Sequence, residues 1–458
     1  MISTRFVFMS MEGGLGRWGH DARMRWTVRN AKPRSGTRVI VPTAARLTIW
    51  AICLAATAGV IARPFKWPEA VWPVTGALAL LLLGLMPFTL TGAAVMKGTD
   101  VYLFLIGMMM LSETARQEGL FDWVATHAVG QARGSTARLF ALVFGVGVIV
   151  TTFLSNDATA VVLTPAVYVA AKKAKADPLP MLFACALVAN AASFVLPISN
   201  PANLVLYGGK MPPLGEWLAS FALPSVVSIV ATFVVLRWVE SARLTRTCEA
   251  SVAGPALTRG GGIALCGIFA TACLLVTASA LDQPLGLPTC LAGFVTTTIV
   301  CIGGRQSPGP IVRGVSWSVL PLVAGMFVLV EALGTTGIIA QLAAMLRDDV
   351  AAGPVQAASV SAVILALVSN LMNNLPAGLV AAMTIQAAVP PKLVTDALLI
   401  GVDLGPNLSI TGSLATILWL TAIRREGEDV GFWRFLKVGA IAMPPALLLA
   451  LAARMAIG

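Results

Sequence analysis

Charge is scarce in this chain. Of 458 residues only 12% are Asp, Glu, Lys or Arg, against 57% hydrophobic, and the mean hydropathy is +0.84. Soluble domains carry about 25% charged residues, so a chain this long cannot cover a water-facing surface. Histidine is nearly missing. His20 lies in a polar tail and His127 in a short amphipathic stretch, neither with a partner motif, and both read as structural. The seven cysteines (Cys53, Cys185, Cys248, Cys266, Cys273, Cys290, Cys301) show no CxxC and no metal-ligand spacing. Most lie in apolar runs and read as reduced packing residues. No GxxxxGK[ST] string occurs, which excludes ATP hydrolysis by that route. Nothing calls for a cofactor or a metal. The net charge of +11 would favour nucleic acid in a soluble protein. Here the basic residues sit in loops and in an N-terminal tail, where they set membrane topology, so no nucleic-acid partner is expected.

Long apolar runs are what the chain does have. They recur at roughly 20 residues, the length that crosses a hydrocarbon core. They lack the period-2 alternation of a membrane barrel, so they are helices. Candidate spans are roughly 46–63, 70–90, 100–116, 181–207, 215–238, 262–281, 286–304, 317–335, 394–421 and 433–456. Two further stretches, about 136–174 and 354–389, are interrupted by polar clusters: Ser155-Asn156-Asp157 in one, Asn373-Asn374 in the other. Irregular backbone at bilayer depth is tolerated only where protein encloses it, so both read as re-entrant hairpins with the cluster at the tip.

The halves repeat. Gly107 to Glu113 matches Gly325 to Glu331, and Gly119 matches Gly337. The tips Ser155-Asn156 and Ser369-Asn370 follow, then Asn190 to Asn203 and Asp403 to Thr416, with offsets of 213 to 218 residues throughout. Five spans plus a hairpin per half turn the second copy upside down, an inverted repeat. The expected fold is therefore an all-α polytopic membrane protein with two inverted repeats and broken helices at the site. Its parts are a basic, disordered tail (1–45), a first repeat (46–240), a connecting loop (241–261) and a second repeat (262–458). Met24 offers an alternative start. Arginine and lysine counts over internal loops put Arg133, Lys172, Lys173, Arg243, Arg313 and Arg425 in the cytoplasm, with Lys97, Lys210, Arg347, Lys392 and Arg454 opposite. The basic tail conflicts with that choice, and the many internal loops outweigh it.

Polar residues concentrate in four places: Ser155-Asn156-Asp157-Ala158-Thr159; Ser193 to Asn203, including Asn200; Ser369-Asn370 with Asn373-Asn374; and Asp403 to Ser413, including Asn407, Ser409 and Thr411. Pro and Gly in the second and fourth break their spans into half-helices, and transporters bind substrate at such breaks. The plainer alternative is amides that only hold helices together. The acids within apolar segments are Asp157, Asp403, Glu113 and Glu331. Such carboxylates are costly and functional by default. Glu113 and Glu331 occupy equivalent places, suggesting a paired structural or gating role. Asp157 and Asp403 break the symmetry and are the better proton carriers.

These strings resemble a known family. Phe153-Leu154-Ser155-Asn156-Asp157-Ala158-Thr159-Ala160, Val368-Ser369-Asn370-Leu371-Met372-Asn373-Asn374-Leu375-Pro376 and Gly401-Val402-Asp403-Leu404-Gly405-Pro406-Asn407 with Gly412-Ser413-Leu414-Ala415-Thr416 look like the signature segments of the arsenite/antimonite efflux permease (ArsB) family. The likeness runs from about residue 46 to 456, and the basic tail departs from it. It implies a multi-pass inner-membrane protein exporting arsenite and antimonite, with protons as coupling ion. Relatives work alone or with a separate soluble ATPase subunit. The neutral arsenic trihydroxide needs hydrogen-bond partners and no counter-ion. Candidate substrate ligands are Ser155, Asn156, Thr159, Asn200, Asn203, Ser369, Asn370, Asn373, Asn374, Asn407, Ser409, Thr411 and Ser413. A three-thiolate arsenic site is opposed by the scatter of the cysteines. A sodium/proton antiporter and a dicarboxylate or sulfate transporter of the same superfamily remain open. A membrane-embedded enzyme is not supported, since no nucleophile–base pair or metal motif lies near the clusters.

Overall fold

The computed structural model describes residues 42–208, 211–250 and 252–458. The basic tail up to residue 41, and Lys210, lie outside the described residues. Those described are helical, apart from loops and an isolated bridge between Ser135 and Thr247. Seven helices among them are long and apolar enough to cross a membrane, or nine if each of two bent pairs counts as one span.

In chain order, α1 (Thr43–Ala62) and α2 (Val71–Leu82) lead to α3 (Phe88–Lys97), which bends by 46° into α4 (Thr99–Gln117). The run expected as one span over 70–90 is instead two pieces. Gly84 adopts φ +66° and Pro87 precedes α3, so the helix stops after only 12 residues. Next come α5 (Leu120–Ala132), α6 (Thr136–Phe153), α7 (Asn156–Ala158), a π-helical turn at Thr159–Leu163 and α8 (Thr164–Lys173). Then α9 (Leu179–Ala191) breaks before α10 (Pro201–Tyr207). α11 (Leu214–Val239) and the short α12 (Ser241–Leu244) close the first half.

The second half runs α13 (Arg259–Ala280), α14 (Gly286–Gly304), α15 (Gly309–Gly314) and α16 (Val319–Thr335), the last bent by 75° from α17 (Ile338–Ala352). There follow α18 (Pro354–Met372), α19 (Asn374–Ala388) and α20 (Lys392–Leu404). A tight turn at Gly405–Leu408, α21 (Leu414–Arg425) and α22 (Phe432–Ala456) complete the chain.

Two bundles result. α1 to α4 pack with α13 to α16, while α6 to α11 pack with α18 to α22, and α5 and α17 run between them. The ends of the first hairpin lie together, because one loop segment binds both. Cys248 N donates to Gly134 O (3.0 Å) and Glu249 N to Ala174 O (2.8 Å). In the second hairpin Arg347 on α17 donates to Ala387 O (2.9 Å) at the end of α19. Within each bundle small residues let backbones touch, the packing that lipid favours. A Cβ on Gly401 of α20, or on Gly405 in the turn that follows it, would strike the carbonyl of Ala362 or Ala366 on α18. Gly401→Ala should therefore cost about 1–3 kcal/mol. Gly145→Ala, where a Cβ meets nothing within 4 Å, should be neutral or gain up to about 1 kcal/mol. Thermal unfolding of the purified proteins measures both.

Candidate functional site

Four helices begin at one place. α7, α10, α19 and α21 start at Asn156, Pro201, Asn374 and Leu414, and these four residues line a single small cavity. Asp157, Asn200, Leu375 and Ala415 complete the wall, with Leu105 of α4 and Val319 of α16 closing it. A helix start leaves backbone N–H groups without intrahelical partners, and the residues at these starts are buried. A capping side chain answers at each start. Ser155 Oγ accepts from Ala158 N (3.2 Å) and Asn200 Oδ1 from Ala202 N (3.0 Å). Asn373 Oδ1 accepts from Leu375 N (3.3 Å) and Ser413 Oγ from Thr416 N (3.1 Å). Asn373 also adopts φ +73°, a left-handed conformation that asparagine tolerates better than most residues. At the two hairpin tips Asn156 and Asn374 line the cavity, and Asn370 does not.

The remaining candidates divide by what their polar atoms already hold. Asn370 Nδ2 donates to Ala366 O and Gly405 O, and its Oδ1 accepts from Ser409 Oγ (2.7 Å). Thr411 Oγ1 donates to Asn370 O (2.9 Å). These bonds tie the second hairpin to the second broken helix. Asn203 Nδ2 reaches Ser193 O (2.9 Å) and holds the loop of the first break. Asn407 donates to Leu187 O (3.0 Å). Thr159 pairs with Thr151 (2.8 Å), and Ser369 bonds back to Leu365 O. Asn156 differs: it is buried, lines the cavity, and its Oδ1 has no protein partner.

The acids fall into two kinds. Glu113 is paired with Arg116 (2.5 Å) and Gln117 (2.9 Å), and Glu331 with Lys97 (2.7 Å). Asp157 lines the cavity, and no ion pair to it or to Asp403 occurs among the described residues. Asp403 is fully buried. Its Oδ1 accepts from Asn200 Nδ2 (2.8 Å), while its Oδ2 has no partner.

A path leads away from the cavity. Leu105, Asp157, Pro201 and Val319 also line a larger chamber, together with Met108, Ser112, Glu113 and Ser155. That chamber shares Glu113, Val161, Val162, Gly314, Ser316 and Leu418 with an open vestibule whose mouth carries Arg116, Asp122, Arg313, Arg425 and Glu426. Neither the cavity nor the chamber has Lys or Arg in its wall. No cysteine lines the cavity, the chamber or the vestibule.

Sequence reading missed Asn190 as part of the site. Its Nδ2 donates to Asn407 Oδ1 (3.0 Å) and reaches Thr416 Oγ1 (3.4 Å), joining the first broken helix to the second. The available signal was an asparagine one turn before a break in an otherwise apolar helix.

A chain whose described residues are helical, with membrane-length spans and helices broken around a small cavity, is a multi-pass membrane transporter. It belongs to the family described as citrate transporter (CitMHS), whose model matches residues 43–422. Curated relatives named "Arsenical pump membrane protein" include one from Yersinia enterocolitica, 27% identical over 76% of this chain and 84% of that protein. One from Escherichia coli is 26% identical over the same shares. The sequence strings and these relatives agree. The solved Alcanivorax borkumensis YdaH transporter, 16% identical, covers 90% of this chain and 97% of its own at a TM-score of 0.54, a likeness of fold.

The division of the amides has a direct check. Asn190→Ala should lower unfolding stability by about 1–3 kcal/mol, because it leaves the buried Oδ1 of Asn407 without its donor. Asn156→Ala, which removes an oxygen without a partner, should stay within about 0.5 kcal/mol.

Proposed function

We propose that the protein exports arsenite and antimonite, as neutral trihydroxides, across the inner membrane in exchange for protons. The observation that carries this reading is the cavity wall. It offers the unpartnered Oδ1 of Asn156 and the amide of Asn374, groups that accept or donate, with Asp157 beside them and no cation. A small uncharged polyhydroxide asks for that pattern. The names of the curated relatives support it. Ser155, Asn373 and Ser413 serve by capping the helix starts, and Thr159, Asn203, Ser369, Asn370, Asn407, Ser409 and Thr411 by fixing the wall behind them. The halves 46–240 and 262–458 are read as inverted repeats. The cross-half bonds Asn190–Asn407 and Asn200–Asp403 support this, as does the composition of each bundle from matching parts of both halves. The arginine-rich vestibule is then the cytoplasmic entrance.

Asp157 and Asp403 carry the proton. A buried carboxylate without a cation is costly, and a proton removes that cost. Asp403 already holds Asn200, so the protonation state of this carboxylate is linked to an amide of the cavity wall. Each proton entering gains about 2.3 kcal/mol per 100 mV, enough to drive a neutral solute outward. Glu113 and Glu331, both ion-paired, serve structure or gating. A separate soluble ATPase partner is compatible with this design.

Four helix starts favour a second reading. Helix N-termini attract anions, and the family description names citrate. The absence of Lys and Arg from the wall weighs against a polyanion.

Everted vesicles decide. Arsenite should release protons across an imposed gradient, and citrate or sodium should not. Asp403→Asn or Asp157→Asn should abolish gradient-driven efflux at normal protein levels. Full efflux in the double Asn variant would place the proton elsewhere. Proton movement driven by sodium or citrate alone would replace the arsenite reading.

A further inference from the structure

α10 is a short, separate wall of the cavity, seven residues from Pro201 to Tyr207, whereas α7 runs directly on into the π-helical turn and α8. A helix of that length is unstable alone, so its place depends on what holds its ends. At the N-terminal end Asn200 donates to Asp403 of α20. At the other end Tyr207 OH donates to Asp396 Oδ1 (2.8 Å), also on α20. Asn200 and Tyr207 are seven residues apart, and so are Asp396 and Asp403. Seven residues are about two turns, so Asp396 and Asp403 lie on one face of α20, Asn200 and Tyr207 bracket α10, and the two helices run antiparallel with a carboxylate bonded at each end.

Asp396 is fully buried and is held in turn. Arg454 of α22, itself 4% exposed, donates to Asp396 Oδ2 through Nε and Nη2, both at 2.9 Å. Lys392 Nζ lies 3.1 Å from the same oxygen and also donates to Ser220 Oγ on α11. The network therefore fixes Asp396 against α11 and α22 before it fixes Tyr207. Apolar packing would bury the same surface without setting a register. Directional bonds to a held carboxylate set one.

We propose that Asp396, Arg454 and Tyr207 are positioning residues: they clamp the far end of α10 so that Asn200 meets Asp403 and the cavity in register. The consequence for transport rests on the function proposed above, while the clamp itself does not.

The test uses Tyr207→Phe in the full chain, which removes the hydroxyl and keeps the ring against Trp217, whose centroid lies 5.7 Å away. Amide hydrogen exchange in residues 203–207 should rise about tenfold, the scale of one lost hydrogen bond to a charged acceptor. Exchange in α9 should be unchanged. In vesicles the KM for arsenite should rise about tenfold with the maximal rate within about twofold. Adding Tyr207→Phe to Asn200→Ala should raise KM no further, since the clamp acts through Asn200. Unchanged exchange in α10 overturns the clamp whatever the substrate is. Additive KM effects overturn its action through Asn200. If the parent protein moves no arsenite, the functional reading fails, and the exchange result still decides the clamp.

Discussion

A helix that stops inside a membrane must answer for its unpaired backbone groups, and this protein does so four times within one small volume. Each unsatisfied N–H in hydrocarbon costs several kcal/mol. The side chains that meet the cost, Ser155, Asn200, Asn373 and Ser413, are therefore fixed by the architecture before any ligand is considered. Much of the remaining structure follows. The breaks need an enclosing shell, which the two bundles supply, and the loops that cross the breaks need internal partners, which Asn203, Asn370, Ser409 and Thr411 supply.

This constraint explains why polar residues are abundant at the site while few of them face the cavity. In water a spare amide costs little. At bilayer depth each donor needs an acceptor, so most amides are taken up by carbonyls of the next segment. What stays free at the cavity wall is what the backbone does not need: Asn156 Oδ1, with the wall positions of Asp157 and Asn374.

The same reasoning marks how much the sequence could tell. Breaks were visible because Ser, Asn, Pro and Gly interrupt apolar runs, and membrane spans because those runs are long. The break between α2 and α3 was hidden, since Gly84 and Pro87 sit among leucines that keep hydropathy high. The roles of individual amides were hidden for another reason. Irregular backbone has no period, so nothing in the spacing says whether Asn407 faces a cavity or Asn190. Asp396 and Arg454 lie near helix ends, where charges ordinarily meet headgroups and water. Only the fold shows that they are buried together.

The two hairpins are alike in plan but differ in one turn. The first contains a π-helical turn at Thr159–Leu163, and the second runs straight from Asn374 to Ala388. One extra residue in a helix shifts everything after it by about 100° of phase. Upstream of the bulge, Asn156 and Asp157 address the cavity. From the bulge onward, Val161, Val162, Pro165, Ala166 and Val169 address the vestibule. The first hairpin thus serves two compartments with one rod, like a key cut on two edges, and its halves can vary in sequence under separate demands. The second hairpin lacks that rotation, so its polar tip and its packing face are bound to a single helical phase.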